Sequence, residues 1–153
     1  MEQKTKVNAE NGKHDLLITR EFDLPLELLF KAHIESNLVE QWMGTKVLKL
    51  ESKKHGSYIF ETKDENGNVV FKANGVIHEL VPNRKITRTF EMDNTPFGVQ
   101  LEVYDFEELT NNTSRLNIHK IYESVGQRDQ VLKMPFAVGL NMAHNRLEEI
   151  VKK

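Results

Sequence analysis

The rhythm of apolar and polar positions changes once along the chain. Over residues 124–151, apolar side chains recur at steps of three and four: Val131, Leu132, Phe136, Leu140, Ala143, Leu147, Ile150 and Val151, with Gly139 on the same stripe. That is the period of one helical face, and it predicts the main helix here. Pro135 removes a backbone donor, so it starts or kinks that helix and leaves residues 125–133 as a separate turn or short helix. Upstream, residues 14–24 set Leu16, Ile18, Arg20 and Phe22 against Leu17, Thr19 and Glu21, which predicts a strand. Pro25 suits a first helical turn and Asp23 a cap, so residues 26–33 predict a short helix carrying Leu26, Leu28, Leu29, Phe30 and Ala32. A second short helix starts at Ser36, carries Leu38, Val39, Trp42 and Met43, and stops at Gly44.

Beyond this point turn signals arrive about every 10 to 15 residues, the spacing of an antiparallel meander. Strands are predicted over 47–51, 57–63, 69–81, 85–92, 99–108 and 114–122. Asn66-Gly67 is the clearest hairpin turn, because both residues tolerate positive φ. The order is strand, two short helices, six strands, long helix. It predicts an α+β fold in which a curved antiparallel sheet of about seven strands wraps around a long C-terminal helix. The domain is expected over residues 14–153, with a flexible tail over 1–13. A helix lying against a curved sheet seldom fills the middle, so a cavity between the two is expected.

Composition narrows the chemistry. The chain has 153 residues, enough for one domain with its own core. It has no cysteine, which excludes disulfides, thiolate metal sites and a cysteine nucleophile. Net charge is -2 with the signs mixed along the chain, so nothing marks a nucleic-acid surface. No apolar run approaches the roughly 18 residues of a membrane span, and residues 1–13 lack the apolar core of a signal peptide. A cytoplasmic protein, monomeric or weakly dimeric, is the default expectation. The six histidines (14, 33, 55, 78, 119 and 144) show no metal-ligand spacing. No nucleophile elbow, phosphate loop or dinucleotide fingerprint occurs. Neither a metal, a cofactor nor a set of catalytic residues is assigned.

The candidate site residues follow from the faces. His144 shares the helical stripe, four residues after Leu140 and three before Leu147. It either meets a ligand or is satisfied at the stripe's edge, and its charge can change near neutral pH. Arg88 shares a strand face with Ile86 and Phe90. Directed inward it favours a carboxylate or phosphate head group, with Glu79 or His78 as its partner; a bulge would instead turn it to solvent. Trp42, Phe60, Phe90, Tyr104, Met134, Phe136 and Leu140 are the expected apolar lining, with Met142 a further candidate. His119 reads as a surface or pairing residue.

Four stretches together resemble a known family. These are Ile18-Thr19-Arg20-Glu21-Phe22 with Pro25, Phe30, Ala32, Leu38 and Trp42; the turn His55-Gly56-Ser57; Gly75, Glu79, Leu80, Pro82, Arg84, Ile86, Thr89 and Phe90; and Gly139, Arg146 and Leu147. In register they resemble the helix-grip superfamily of START domains, the birch-pollen allergen and polyketide cyclases. The nearest likeness is to the family named after the activator of heat-shock protein 90 ATPase, in its homologue-1-like branch. Two positions depart from that family's pattern. Leu140 stands where tryptophan is common, and His144 where leucine is common. The resemblance implies a cavity between sheet and last helix, and chaperone activation belongs to longer relatives with an additional domain. Three readings stand: a non-enzymatic binder of a small apolar or amphipathic molecule, a cyclase or dehydratase using His144 and Glu79, and a chaperone-associated interaction module.

Overall fold

The structure, a computed structural model, describes residues 3–152. Its elements run β1 (Lys6–Asn8), β2 (Asp15–Phe22), α1 (Leu26–Ile34), α2 (Ser36–Met43), β3 (Lys46–Leu50), β4 (Ser57–Lys63), β5 (Val69–Val81), β6 (Lys85–Met92), β7 (Val99–Thr110), β8 (Thr113–Ile121), α3 (Val125–Leu132) and α4 (Phe136–Lys152). All eight strands form one antiparallel sheet in the order β1-β2-β8-β7-β6-β5-β4-β3. The meander from β3 to β8 thus returns to β2, and α1, α2 and α4 pack on its inward face. This is the expected α+β helix-grip arrangement, with one strand more than expected.

Local chemistry explains most boundaries. On β2, Leu16, Ile18, Arg20 and Phe22 are buried while Leu17 and Glu21 are exposed. On β8, Ser114, Leu116 and Ile118 face the same way, and the register sets Ile18 opposite Ile118. Leu29, Phe30, Trp42 and Leu147 close the core from the helices. Gly44 ends α2 in the left-handed conformation at φ 68, which costs glycine no Cβ clash. Pro135 separates α3 from α4, and Ser124 caps α3 by accepting from the Gln127 N–H at 3.1 Å. Asp23 does not cap α1: Pro25 holds that position, and the Asp23 carboxylate instead accepts from Lys152 Nζ at 2.9 Å.

Part of the segment expected as a tail carries regular structure. Its residues Met1 and Glu2 lie outside the described residues, as does Lys153 at the other end of the expected domain. Within it, Lys6–Asn8 adds a strand to the edge of β2, with Val7 opposite Ile18. Thr5 is buried, and its N–H donates to Asn141 Oδ1 at 3.0 Å. This segment is held by hydrogen bonds and by Val7 and Ala9 packed against the core, a run too short to leave a periodic signal.

One ion pair fixes α4 on the sheet. Arg20 is 1% exposed, and its Nη2 donates to Glu148 Oε2 at 3.0 Å. Nη1 donates to Asn145 Oδ1 at 2.8 Å, and Glu148 Oε1 accepts from the Asp23 N–H at 3.2 Å. A buried guanidinium left without its carboxylate is strongly unfavourable. Glu148→Ala is therefore expected to lower unfolding free energy by about 3–5 kcal/mol in urea denaturation, and Arg20→Met with Glu148→Leu to recover most of the loss. A cost under about 1 kcal/mol for the single change would show that the pair does not hold the helix.

Candidate functional site

A cavity of about 170 Å³ lies between the inward face of the sheet and helices α1, α2 and α4. Its apolar lining comes from Val39, Trp42 and Met43 on α2, Phe60 on β4, Phe90 on β6, Ile118 on β8, and Leu140 and Ala143 on α4. Trp42 is fixed at both ends: its indole N–H donates to the Ala32 carbonyl at 2.8 Å, and its own carbonyl accepts from Arg146 Nε at 3.1 Å. A larger open groove of about 510 Å³ runs over Arg20, Phe22 and Glu148 beside Lys4 and Lys6. Its Arg20 and Glu148 already pair with each other, and Phe22 is its only large apolar residue.

The polar wall of the cavity is a single row across three strands. The register places Arg88 opposite Glu102, and Glu102 opposite Lys120. Arg88 Nε donates to Glu102 Oε1 at 2.9 Å, and Nη2 donates to the Tyr104 hydroxyl at 2.8 Å. That hydroxyl donates in turn to Glu102 Oε1 at 3.2 Å, while Lys120 Nζ lies 3.3 Å from Glu102 Oε2. The guanidinium sits 4.8 Å from the ring centres of both Tyr58 and Tyr104. Burial alone would raise the Glu102 pKa, but Lys120 and then Arg88 outweigh it and hold the carboxyl below its ordinary range. Burial pushes the Tyr104 and Tyr58 phenols up, so both stay neutral.

Gly75 makes this wall possible. It lies opposite Tyr58 in the register, and the Tyr58 hydroxyl crosses it to donate to the Thr89 carbonyl on β6. A Cβ on Gly75 would lie 2.0 Å from that carbonyl oxygen and 2.5 Å from the hydroxyl. The absence of a side chain lets the Tyr58 ring lie under Arg88.

Two histidines flank Trp42, His33 half-buried with its ring centre 5.2 Å away and His144 buried at 6.0 Å. His33 Nδ1 is 2.9 Å from the Leu29 carbonyl, an acceptor, so Nδ1 carries the proton. Its Nε2 is buried and without a partner among the described residues. Burial, with a further push from Arg88 against the Leu29 hydrogen bond, brings the His33 pKa down to about 4. His144 Nδ1 lies 2.9 Å from the Thr5 hydroxyl. Burial, then His33, Arg20 and Lys120, hold His144 well below the usual histidine range. His144 thus borders the cavity and is also satisfied by the chain.

Trp42, Phe60, Arg88, Phe90, Tyr104, Leu140 and His144 all border the cavity, whereas Met134 and Phe136 do not. Met134 is exposed in the break ahead of α4, and Phe136, the first residue of α4, is half-buried against the core one turn ahead of Leu140. Met142 is exposed as well. The expected partners of Arg88 are also corrected. A bulge between Ile77 and Glu79 sets Ile77 opposite Arg88 and leaves His78 and Glu79 exposed, with Glu79 paired to Lys85 at 3.2 Å. His119 Nε2 lies 2.7 Å from Asp15 Oδ2 in a half-exposed pair. Sequence reasoning missed His33, Glu102 and Lys120. Each carried a signal: Glu102 is two residues before Tyr104, Lys120 two after Ile118, and His33 four after the buried Leu29. Among the described residues, no three histidine, aspartate or glutamate side chains converge as a metal site. No described helix is long and apolar enough to cross a membrane.

Comparison with known proteins gives one family match. The profile described as "Activator of Hsp90 ATPase homolog 1-like protein" matches residues 23–152. No curated protein matches the chain. Among solved structures, protein Ms6760 from Mycobacterium smegmatis superposes with a TM-score of 0.84 at 20% identity, covering 95% of each chain. A Rhodobacter sphaeroides protein gives 0.85 at 18% identity, over 96% of this chain and 99% of its own. An Arthrobacter aurescens protein gives 0.85 at 14% identity, over 96% and 91%. At these identities the likeness establishes the fold alone.

This geometry makes two positions sensitive to change. Gly75→Ala should cost about 2 kcal/mol or more in chemical denaturation, since either Tyr58 or the β5–β6 pairing must move; a neutral outcome would refute the close approach. The second concerns acid. A histidine whose pKa is depressed in the folded state stabilises the fold fully above the unfolded value, near 6.5. That stability is lost as pH falls toward the folded value, about 4 for His33. Between pH 7 and pH 5, His33 should account for about 2 kcal/mol of lost unfolding free energy. His33→Gln should flatten that limb of the stability–pH curve; an unchanged slope would place His33 in an ordinary, protonatable setting.

Proposed function

The chain belongs to the Activator of Hsp90 ATPase homolog 1-like family, and we propose that it acts as a non-enzymatic binder of a small, mostly apolar molecule. The observation that carries this reading is the cavity itself. Trp42, Phe60, Phe90 and Leu140 supply apolar walls, and one polar row at Arg88, Glu102 and Tyr104 supplies orientation. Apolar surface with few convergent polar groups is what a small-molecule site offers. The cyclase reading draws less support. His144 and Glu79 are not brought together: one is buried, and the other is exposed and paired with Lys85. The interaction-module reading calls for an exposed apolar patch rather than an enclosed space.

Leu140 supplies the test, because a larger side chain there points at the cavity. Leu140→Trp should occupy much of the space while shifting stability by no more than about 1–2 kcal/mol. Wild-type protein from its own host, examined by native mass spectrometry, should retain a small molecule or bind one from a lipid and metabolite panel. The variant should not. A wild type that neither retains nor binds any compound, or a Leu140→Trp protein that binds equally well, would end the proposal.

A further inference from the structure

The charges of the polar wall do not balance, and from that surplus we infer that the cavity takes a small monocarboxylate, its carboxylate set against Arg88 and Lys120. The inference rests on the cavity being the binding site. Arg88 and Lys120 are cations, and Glu102 is the one carboxylate between them. Tyr104, Tyr58, His33 and His144 are neutral neighbours, so the wall carries a net charge of about +1. Both oxygens of Glu102 are already engaged. Oε1 accepts from Arg88 and from Tyr104, and Oε2 faces Lys120.

The cations, by contrast, keep donors in hand. A guanidinium has five N–H groups in a planar fork. Nε and Nη2 each use one, on Glu102 and on the Tyr104 hydroxyl, and Nη1 meets no acceptor among the described residues. Nor is Nη1 among the polar atoms sealed from solvent. Lys120 has three N–H groups and one carboxylate partner. Both side chains are more than four-fifths covered, at 13% and 19% exposed, so bulk water screens their surplus charge poorly. A planar monoanion fits the arginine fork and brings the wall to neutrality. A phosphate monoester carries nearly two charges and would leave the wall negative. A neutral ligand would leave it positive.

Volume sets the body of the ligand. The cavity's 170 Å³ compares with roughly 150 Å³ for an apolar protein cavity that holds benzene. A benzene-sized or branched aliphatic body bearing one carboxylate therefore fits, with the body between Trp42, Phe60 and Leu140. A long acyl chain would extend beyond this volume.

Trp42 borders the cavity and is the chain's only tryptophan, so its fluorescence reports occupancy directly. Benzoate, benzamide, toluene and phenyl phosphate should be titrated at pH 7, with isothermal calorimetry as a second readout. Benzoate should bind at least about tenfold more tightly than each of the other three. Arg88→Met should bring the benzoate-to-benzamide ratio near one, and Lys120→Met should lower it severalfold. Circular dichroism checks that each variant folds. If Arg88→Met does not fold, Arg88→Lys and Lys120→Met carry the test.

Benzamide or toluene binding as tightly as benzoate would overturn the carboxylate while leaving the cavity as a site. Tighter binding of phenyl phosphate would overturn the single charge. If none of the four binds, the monocarboxylate inference fails, and the mass-spectrometric result with Leu140→Trp then decides separately whether the cavity binds anything.

Discussion

The placement of the last helix depends on one buried ion pair. Arg20 lies on the inward face of β2 because strand alternation leaves it no other side. A guanidinium in that position demands a carboxylate, and Glu148 on α4 supplies it. Once Glu148 is above Arg20, the helical period sets the rest of α4. His144, one turn earlier, meets the Thr5 hydroxyl, and Asn141 meets the Thr5 N–H. Leu140 and Ala143 come to rest over the cavity. The roof of the site is thus a consequence of a contact outside it. The same contact draws in the N-terminal segment, since Thr5 accepts from Arg20 Nη1 at 3.4 Å as it meets His144.

What could be read from the sequence was what is written locally. The strands at 57–63, 69–81 and 85–92 have the limits that alternation and turn chemistry give them. Arg20 and Arg88 both fall on the inward faces that alternation assigned. Their partners were not legible, because pairing is long-range. Glu148 is 128 positions from Arg20 in the chain, and the bulge beside Ile77 sets Ile77, where simple counting from the turn gives His78, opposite Arg88. Phe136 fits the helical stripe and packs against the core, yet it stands one turn ahead of Leu140 and outside the cavity, while Met134 falls in the break at Pro135. The strand β1 was invisible for another reason. It has three residues and is held by an edge ladder and by polar contacts at Thr5, so no apolar period marks it.

Burial and charge act together on the histidines. Two imidazoles beside a cationic row lose twice by protonating, once to desolvation and once to repulsion. The site therefore keeps one charge state through the neutral range. It also keeps defined hydrogen-bonding roles, since the Leu29 carbonyl fixes the proton of His33 on Nδ1. A pocket walled by neutral imidazoles and aromatic rings is apolar over most of its surface, which concentrates its electrostatics in the Arg88–Glu102–Lys120 row.

The fold thus buries two charged clusters that differ in their sums. Around Arg20, one guanidinium meets one carboxylate, with Asn145, Asn141 and Thr5 taking further contacts. That pair is neutral, and the chain itself occupies both Nη atoms of Arg20, leaving its buried Nε without an acceptor among the described residues. Around Glu102, one carboxylate serves two cations and a phenol. A structural role alone would require only Arg88 or only Lys120 to balance Glu102. Glu102 offsets one of the two charges, and the Tyr58 and Tyr104 rings offset part of the desolvation of Arg88 without neutralising it. Such a surplus is tolerable where an anion from outside completes it, and the space that Trp42, Phe60 and Leu140 leave open lies beside this second cluster and not the first.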